Sequence, residues 1–110
     1  MKQRMRVQGR GRITVTAHGV ADAEHRAEVA AGRLWPEARL TVQGVDRLDA
    51  GDRLVSEYRV RYALVGELEC AGESPEAQVR EAFRQARRKL DGSELRSVEW
   101  LEAAPTGGAA

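Results

Sequence analysis

Residues 54–69 alternate without interruption, and this alternation limits the possible folds more than any other feature of the chain. Leu54, Ser56, Tyr58, Val60, Tyr62, Leu64 and Leu68 share one parity. Val55, Glu57, Arg59, Arg61, Ala63, Val65, Glu67 and Glu69 share the other. A period of two with one mostly apolar side is a half-buried strand. At ~3.3 Å per residue, a strand of ~15 residues is about 50 Å long. A strand of that length needs partners built to the same rule.

The first segment supplies one. Its odd positions read Met5, Val7, Gly9, Gly11, Ile13, Val15 and Ala17. Its even positions read Arg4, Arg6, Gln8, Arg10, Arg12, Thr14, Thr16 and His18. Gly9 and Gly11 weaken the middle of this strand and mark a bulge or bend. A further strand is expected over residues 38–48, where Leu40 and Val42 alternate with Thr41 and Gln43 and Gly44 marks a bulge. Asp49-Ala50-Gly51-Asp52 is turn chemistry, joining that strand to residues 54–69 as a long hairpin.

Two stretches have helical spacing instead. Asp22 reads as the N-cap of a helix running to Leu34, with Ala23, Ala27, Ala30 and Leu34 on one face and Pro36 as its stop. Ser74 and Pro75 open a second helix as N-cap and first residue. Val79, Ala82, Phe83, Ala86 and Leu90 form its apolar stripe, and Asp91-Gly92 ends it. Arg87, Arg88 and Lys89 in its last turn suit the negative end of the helix dipole. A last strand is expected over residues 95–102, containing Leu95, Val98, Trp100 and Leu101.

The order is β-α-β-β-α-β, in two halves at about 12–44 and 60–102. It predicts an α+β ferredoxin-like sandwich: one four-stranded antiparallel sheet with both helices on one face and the first and third strands as central neighbours. Residues 1–103 read as a single domain, with 1–11 as a basic strand extension and 104–110 as a disordered tail.

Composition agrees. A chain of 110 residues fits one domain. Only five residues are aromatic, so the core must be mostly Val, Leu and Ala. Such a core buries little area per residue and gives one copy modest stability, which self-association would remedy. The single cysteine, Cys70, excludes an internal disulfide. There is no apolar run of membrane-spanning length and no signal-peptide pattern, so no membrane partner is expected and the cytoplasm is the expected location.

The net charge of +1 hides an asymmetry. Residues 1–12 carry Lys2, Arg4, Arg6, Arg10 and Arg12 with no acid, and the remaining chain is net −4. Side chains two apart on a strand project to one side. Arg4, Arg6, Arg10 and Arg12 therefore form a stripe about 25 Å long, and Arg59 and Arg61 share its face by the same parity. Six arginines on adjacent strands attract phosphates, which makes them candidates for binding nucleic acid or another anion. The plainer reading is a solvated face, partly neutralised by Glu57, Glu67 and Glu69. Single-strand binders also present aromatics for base stacking, whereas Tyr58 and Tyr62 fall on the buried parity.

Nothing in the sequence assembles into a catalytic site. His18 and His25 are the only histidines, and no Cys/His spacing suits a metal. The Gly9-Arg10-Gly11-Arg12 segment has no helix after it, so it is not a phosphate loop. Trp35 and Trp100 are candidates to stack on a ligand; against that, Trp35 before Pro36 plugs the end of the first helix and Trp100 serves as a core or subunit contact.

The stretch from Asp49 through Leu54, Tyr58, Arg61, Leu64 and Gly66 to Glu69 resembles the hairpin and last strand of dodecins, and residues 13–69 follow their β-α-β-β order. Dodecins are small flavin-binding proteins that assemble into hollow shells. The tryptophan they place early in the second strand to stack the flavin is replaced here by Leu40 and Thr41. The resemblance implies a small assembling sheet protein, with flavin as the cofactor of that family. The sequence as a whole reads as a non-enzymatic binding or assembly module. It is expected to be a homo-oligomer joined through its overhanging hairpin, with nucleic-acid binding through the basic face as the alternative and small-ligand binding as the third.

Overall fold

A computed structural model describes residues 2–49 and 54–106. The elements are β1 (Lys2–Ala17), α1 (Val20–Leu34), β2 (Ala38–Arg47), β3 (Ser56–Ala71), α2 (Pro75–Leu90) and β4 (Glu99–Pro105). They form one antiparallel sheet in the order β2-β3-β1-β4, with both helices on one face. This is the ferredoxin-like arrangement expected from the alternation. Most of the turn at Asp49-Ala50-Gly51-Asp52 and the tail from residue 107 lie outside the described residues.

The frame is the β1–β3 ribbon, in register from Lys2 opposite Ala71 to Ala17 opposite Ser56. It makes the molecule long, 57 × 27 × 20 Å. β2 covers only part of β3, from Gly66 to Tyr58, and β4 covers only part of β1, from Met5 to Arg10. The expected bulge at Gly44 is present: the register slips between Val42 and Gly44. At Gly9 the β1–β3 ladder is unbroken, and the slip opposite it lies in β4, at Leu101.

Both helices carry alanine where they meet the sheet: Ala23, Ala27 and Ala31 on α1, Ala82 and Ala86 on α2, all buried. With such short side chains the helices lie close to the strands, and the space between is filled by a few large rings seated on glycines. Trp35 lies over Gly66, Tyr62 over Gly11 and Trp100 over Gly9, each on the helix side, so that a β-carbon at any of these glycines would run into the ring. The glycines therefore act as seats within extended strands.

Several boundaries differ from the sequence reading. α1 begins at Val20, and Asp22 stands in its first turn rather than at the cap. There its carboxylate accepts the His18 N–H at 2.9 Å and the Arg26 Nε–H at 3.1 Å, which holds its pKa below the usual carboxylate value. Ser74 caps α2 as expected, accepting the Ala77 N–H. β3 begins at Ser56, leaving Leu54 outside it and 87% exposed. β4 starts four residues later than expected and runs to Pro105, so Ala104 and Pro105 belong to the sheet rather than to a tail. Leu95, expected in that strand, is wholly buried in the connection from α2.

The overhanging hairpin is also corrected. Every helix-side residue of β3, from Ser56 to Cys70, is buried within one copy. The described part of β3 therefore does not project beyond its cover, although Gly11 and Val15 on β1 are only partly buried.

Candidate functional site

The side of the sheet facing away from the helices carries the charged residues. Reading along the β1–β3 register, its facing pairs are Arg4 with Glu69, Arg6 with Glu67, Gln8 with Val65, Arg10 with Ala63, Arg12 with Arg61, Thr14 with Arg59 and Thr16 with Glu57. All six arginines singled out in the sequence thus share one face. The register, however, divides them. Arg4 and Arg6 stand opposite acids, and Arg4 Nε lies 3.0 Å from Glu67 Oε1. Arg10, Arg12, Arg59 and Arg61 stand opposite no acid on the neighbouring central strand.

These four line a shallow groove of about 720 Å3, with Thr14 and Gln43 on its floor and Ser97 and Glu99 at its rim. Two arginines are already engaged. Arg10 Nε is 3.1 Å from Glu99 Oε2 and Arg61 Nε is 3.5 Å from Asp46 Oδ2. All four side chains of these ion pairs are more than half exposed, so the pairs contribute little to stability and exchange easily for another anion. Arg59 stands opposite Asp46 in the β2–β3 register, but that carboxylate pairs with Arg61, and among the described residues neither Arg12 nor Arg59 makes an ion pair.

The placement of Arg12 against Arg61 is the least expected feature. Thr106 donates its N–H to the Arg4 carbonyl, so even-numbered β1 residues aim their backbone groups toward β4. Arg12 and Arg61 are therefore a non-hydrogen-bonded pair, the kind in which Cα atoms approach to about 4.5 Å and side chains stand closest. Two like charges directly opposite each other oppose folding. The Gly44 bulge accommodates the crowding. The Arg61 guanidinium lies across Gly44, where any β-carbon would collide with it. Guanidinium groups remain charged and grip phosphate oxygens in pairs. The groove therefore concentrates the positive charge that holding an anion would need.

The stacking candidates are placed elsewhere. Trp35 has none of its surface exposed and its ring rests on Gly66, which leaves no face for a ligand. Trp100 is half-buried over Gly9 on the helix side. All five aromatic side chains lie on the helix side of the sheet, away from the arginines. Cys70 is buried, and burial, followed by the nearby Glu81 carboxylate, pushes its thiol pKa up; it is not poised as a nucleophile. Among the described residues no cluster of His, Cys, Asp and Glu could hold a metal, and no described helix is long and apolar enough to cross a membrane.

Asp46, Gln43, Ser97 and Glu99 were not found from the sequence. Asp46 reaches the open face because the slip at Gly44 changes the parity of β2, and Glu99 joins the groove because the β1–β4 register sets it opposite Arg10. Comparison with family models, with curated proteins and with solved structures finds no match to this chain.

Proposed function

We propose that this chain is a non-enzymatic module that binds the phosphate backbone of a nucleic acid through the groove formed by Arg10, Arg12, Arg59 and Arg61. The observation that carries this reading is the convergence of four guanidinium groups on one exposed groove, two of them in no ion pair among the described residues. A solvated face has no need to set Arg12 directly against Arg61. A polyanion would relieve that repulsion.

The absence of aromatic side chains from this face argues for a backbone contact that is indifferent to sequence. Stacking would require a flat ring beside the groove, and base reading would require contacts to base edges. The expected binding is therefore electrostatic, with similar affinity for strands of different sequence.

Removing residues 1–12 would not test this, because it deletes most of a central strand. Point substitution does. The test is fluorescence anisotropy of a labelled single strand at about 50 mM salt, with a duplex and inorganic polyphosphate as competitors. Wild type is expected to bind, and R12A/R59A to weaken binding equally for unrelated sequences while the fold, read by circular dichroism, is unchanged. No binding by wild type, or equal binding by the double variant, ends the proposal.

A further inference from the structure

The sheet has four stretches of strand edge without an internal partner, and three of them are protected. β2 is broken by its bulge at Gly44, and β4 is broken by the slip at Leu101 and ends in Pro105. The third stretch is the end of β3 beyond Gly66. Leu48 donates its N–H to the Glu57 carbonyl, so odd-numbered β3 residues face β2, and Glu67, Glu69 and Ala71 extend past its end. Two copies pairing there about Glu69 would set that acid against itself, and like charges directly opposite are destabilising. Bulges, prolines and charges are the usual means of keeping edges apart.

The fourth stretch has neither a bulge nor a proline, and its one charge, Arg12, lies off its centre. β4 stops pairing at Arg10, and β1 continues to Ala17 with no strand on that side. By the alternation fixed at Arg4, the N–H and C=O groups of Arg12, Thr14 and Thr16 point outward there, and no described residue bonds to them. The segment is flanked on the helix side by a groove of about 660 Å3 lined by Ile13, Val15, Val29 and Leu34 together with Ser93 and Glu94 of the α2–β4 connection, which the partner strand must pass.

We propose that this edge pairs with the same edge of a second copy. The stretch 11–17 is centred on Thr14, and its sequence is self-complementary about that residue. In an antiparallel pair with the two-fold axis beside Thr14, Thr14 faces the partner's Thr14, and Arg12 faces the partner's Thr16, so no charge opposes its like. On the helix side Ile13 faces the partner's Val15, a β-branched contact that packs well across strands. The outward groups of Arg12, Thr14 and Thr16 all find partners, with two hydrogen bonds at each of the facing pairs. The two sheets become one, and both arginine grooves open on the same continuous face. This inference is independent of what the grooves bind.

The test is light scattering behind size exclusion at tens of micromolar, on wild type, T14P, T16P and T14V. Proline removes an outward N–H that makes no internal bond, so it blocks the pairing without breaking the β1–β3 ladder. Wild type and T14V are expected at twice the 12.1 kDa mass of the chain, and T14P and T16P at the single mass with unchanged circular dichroism. Should one proline variant fail to fold, the other decides. Hydrogen exchange gives a second readout: the Arg12 and Thr16 amides of wild type should be protected, and lose protection on dilution. A monomeric wild type overturns the proposal, as does a dimeric proline variant, protection at this edge that ignores dilution, or an edge occupied only by an unrelated peptide.

Discussion

Replacing Trp35 by alanine should lower the stability of the fold by about 3–5 kcal/mol, the cost of removing a fully buried large ring. The argument rests on how the core is built. Alanines line the helix faces, so the interior volume is concentrated in a few rings, and Trp35 is the largest of the wholly buried side chains. Its backbone N–H, which caps α1 by bonding the Ala31 carbonyl, is retained by alanine, so the loss is that of the ring. The seat should be as sensitive as the ring. Gly66→Ala forces a methyl into the Trp35 indole and should cost roughly 1–3 kcal/mol, as overpacked cores do. Gly32 is the control. It lies in α1 with open space around it, and Gly32→Ala should gain about 0.5–1 kcal/mol from helix propensity. Urea unfolding of the three variants checks the set. A Gly66→Ala protein as stable as wild type would show that the ring is not seated as described.

The second large effect concerns alkaline pH. The Tyr62 hydroxyl is buried and has no hydrogen-bond partner among the described residues. Burial pushes its pKa up to about 12. In the unfolded chain a tyrosine ionises near pH 10. The folded state therefore holds the proton more tightly, and the stabilising contribution is intact below pH 10. It is lost as pH rises from about 10 through 12, by about 2–3 kcal/mol in all. Tyr62→Phe removes both the ionisation and an unsatisfied hydroxyl whose burial costs about 1–3 kcal/mol. The variant should be at least as stable as wild type at neutral pH and should lack the part of the alkaline loss that Tyr62 causes. The measurement is stability against pH for both proteins. Parallel curves from pH 8 to 12 would refute the assignment.

Much of the fold was legible because the central strands obey a strict period of two. The parities of β1 and β3 follow from which of Met5, Val7, Tyr58 and Tyr62 must be hidden, and one buried face leaves no choice of side. The failures have physical causes too. Asp22 resembles an N-cap because its carboxylate does bind a backbone N–H, but it reaches back from inside the first turn. Leu95 and Val98 look like strand residues because they are apolar, yet Leu95 is buried from a loop. A slip at Leu101 turns Trp100 inward and leaves Leu101 53% exposed, so simple alternation misplaces β4.

The site was legible to the same degree. That six arginines share a face follows from parity alone. Which of them are neutralised depends on the register between β1 and β3, and the alternation is equally well satisfied by any shift of two residues. Only the structure sets Glu67 and Glu69 against Arg6 and Arg4, leaving Arg12 against Arg61. The described part of β3 does not overhang, because every helix-side residue from Ser56 to Cys70 is buried, which helix lengths considered singly do not reveal.

The central claim is that the Arg10, Arg12, Arg59 and Arg61 groove neutralises phosphates, and the salt dependence of binding tests it most directly. Each phosphate neutralised on a single strand contributes about −0.7 to the slope of log affinity against log salt. Four arginines predict a slope near −2.8, or about a 50-fold loss of affinity between 50 and 200 mM salt. R12A/R59A should halve the slope to about −1.4. A wild-type slope near zero, or a slope that the double substitution leaves unchanged, would contradict the account.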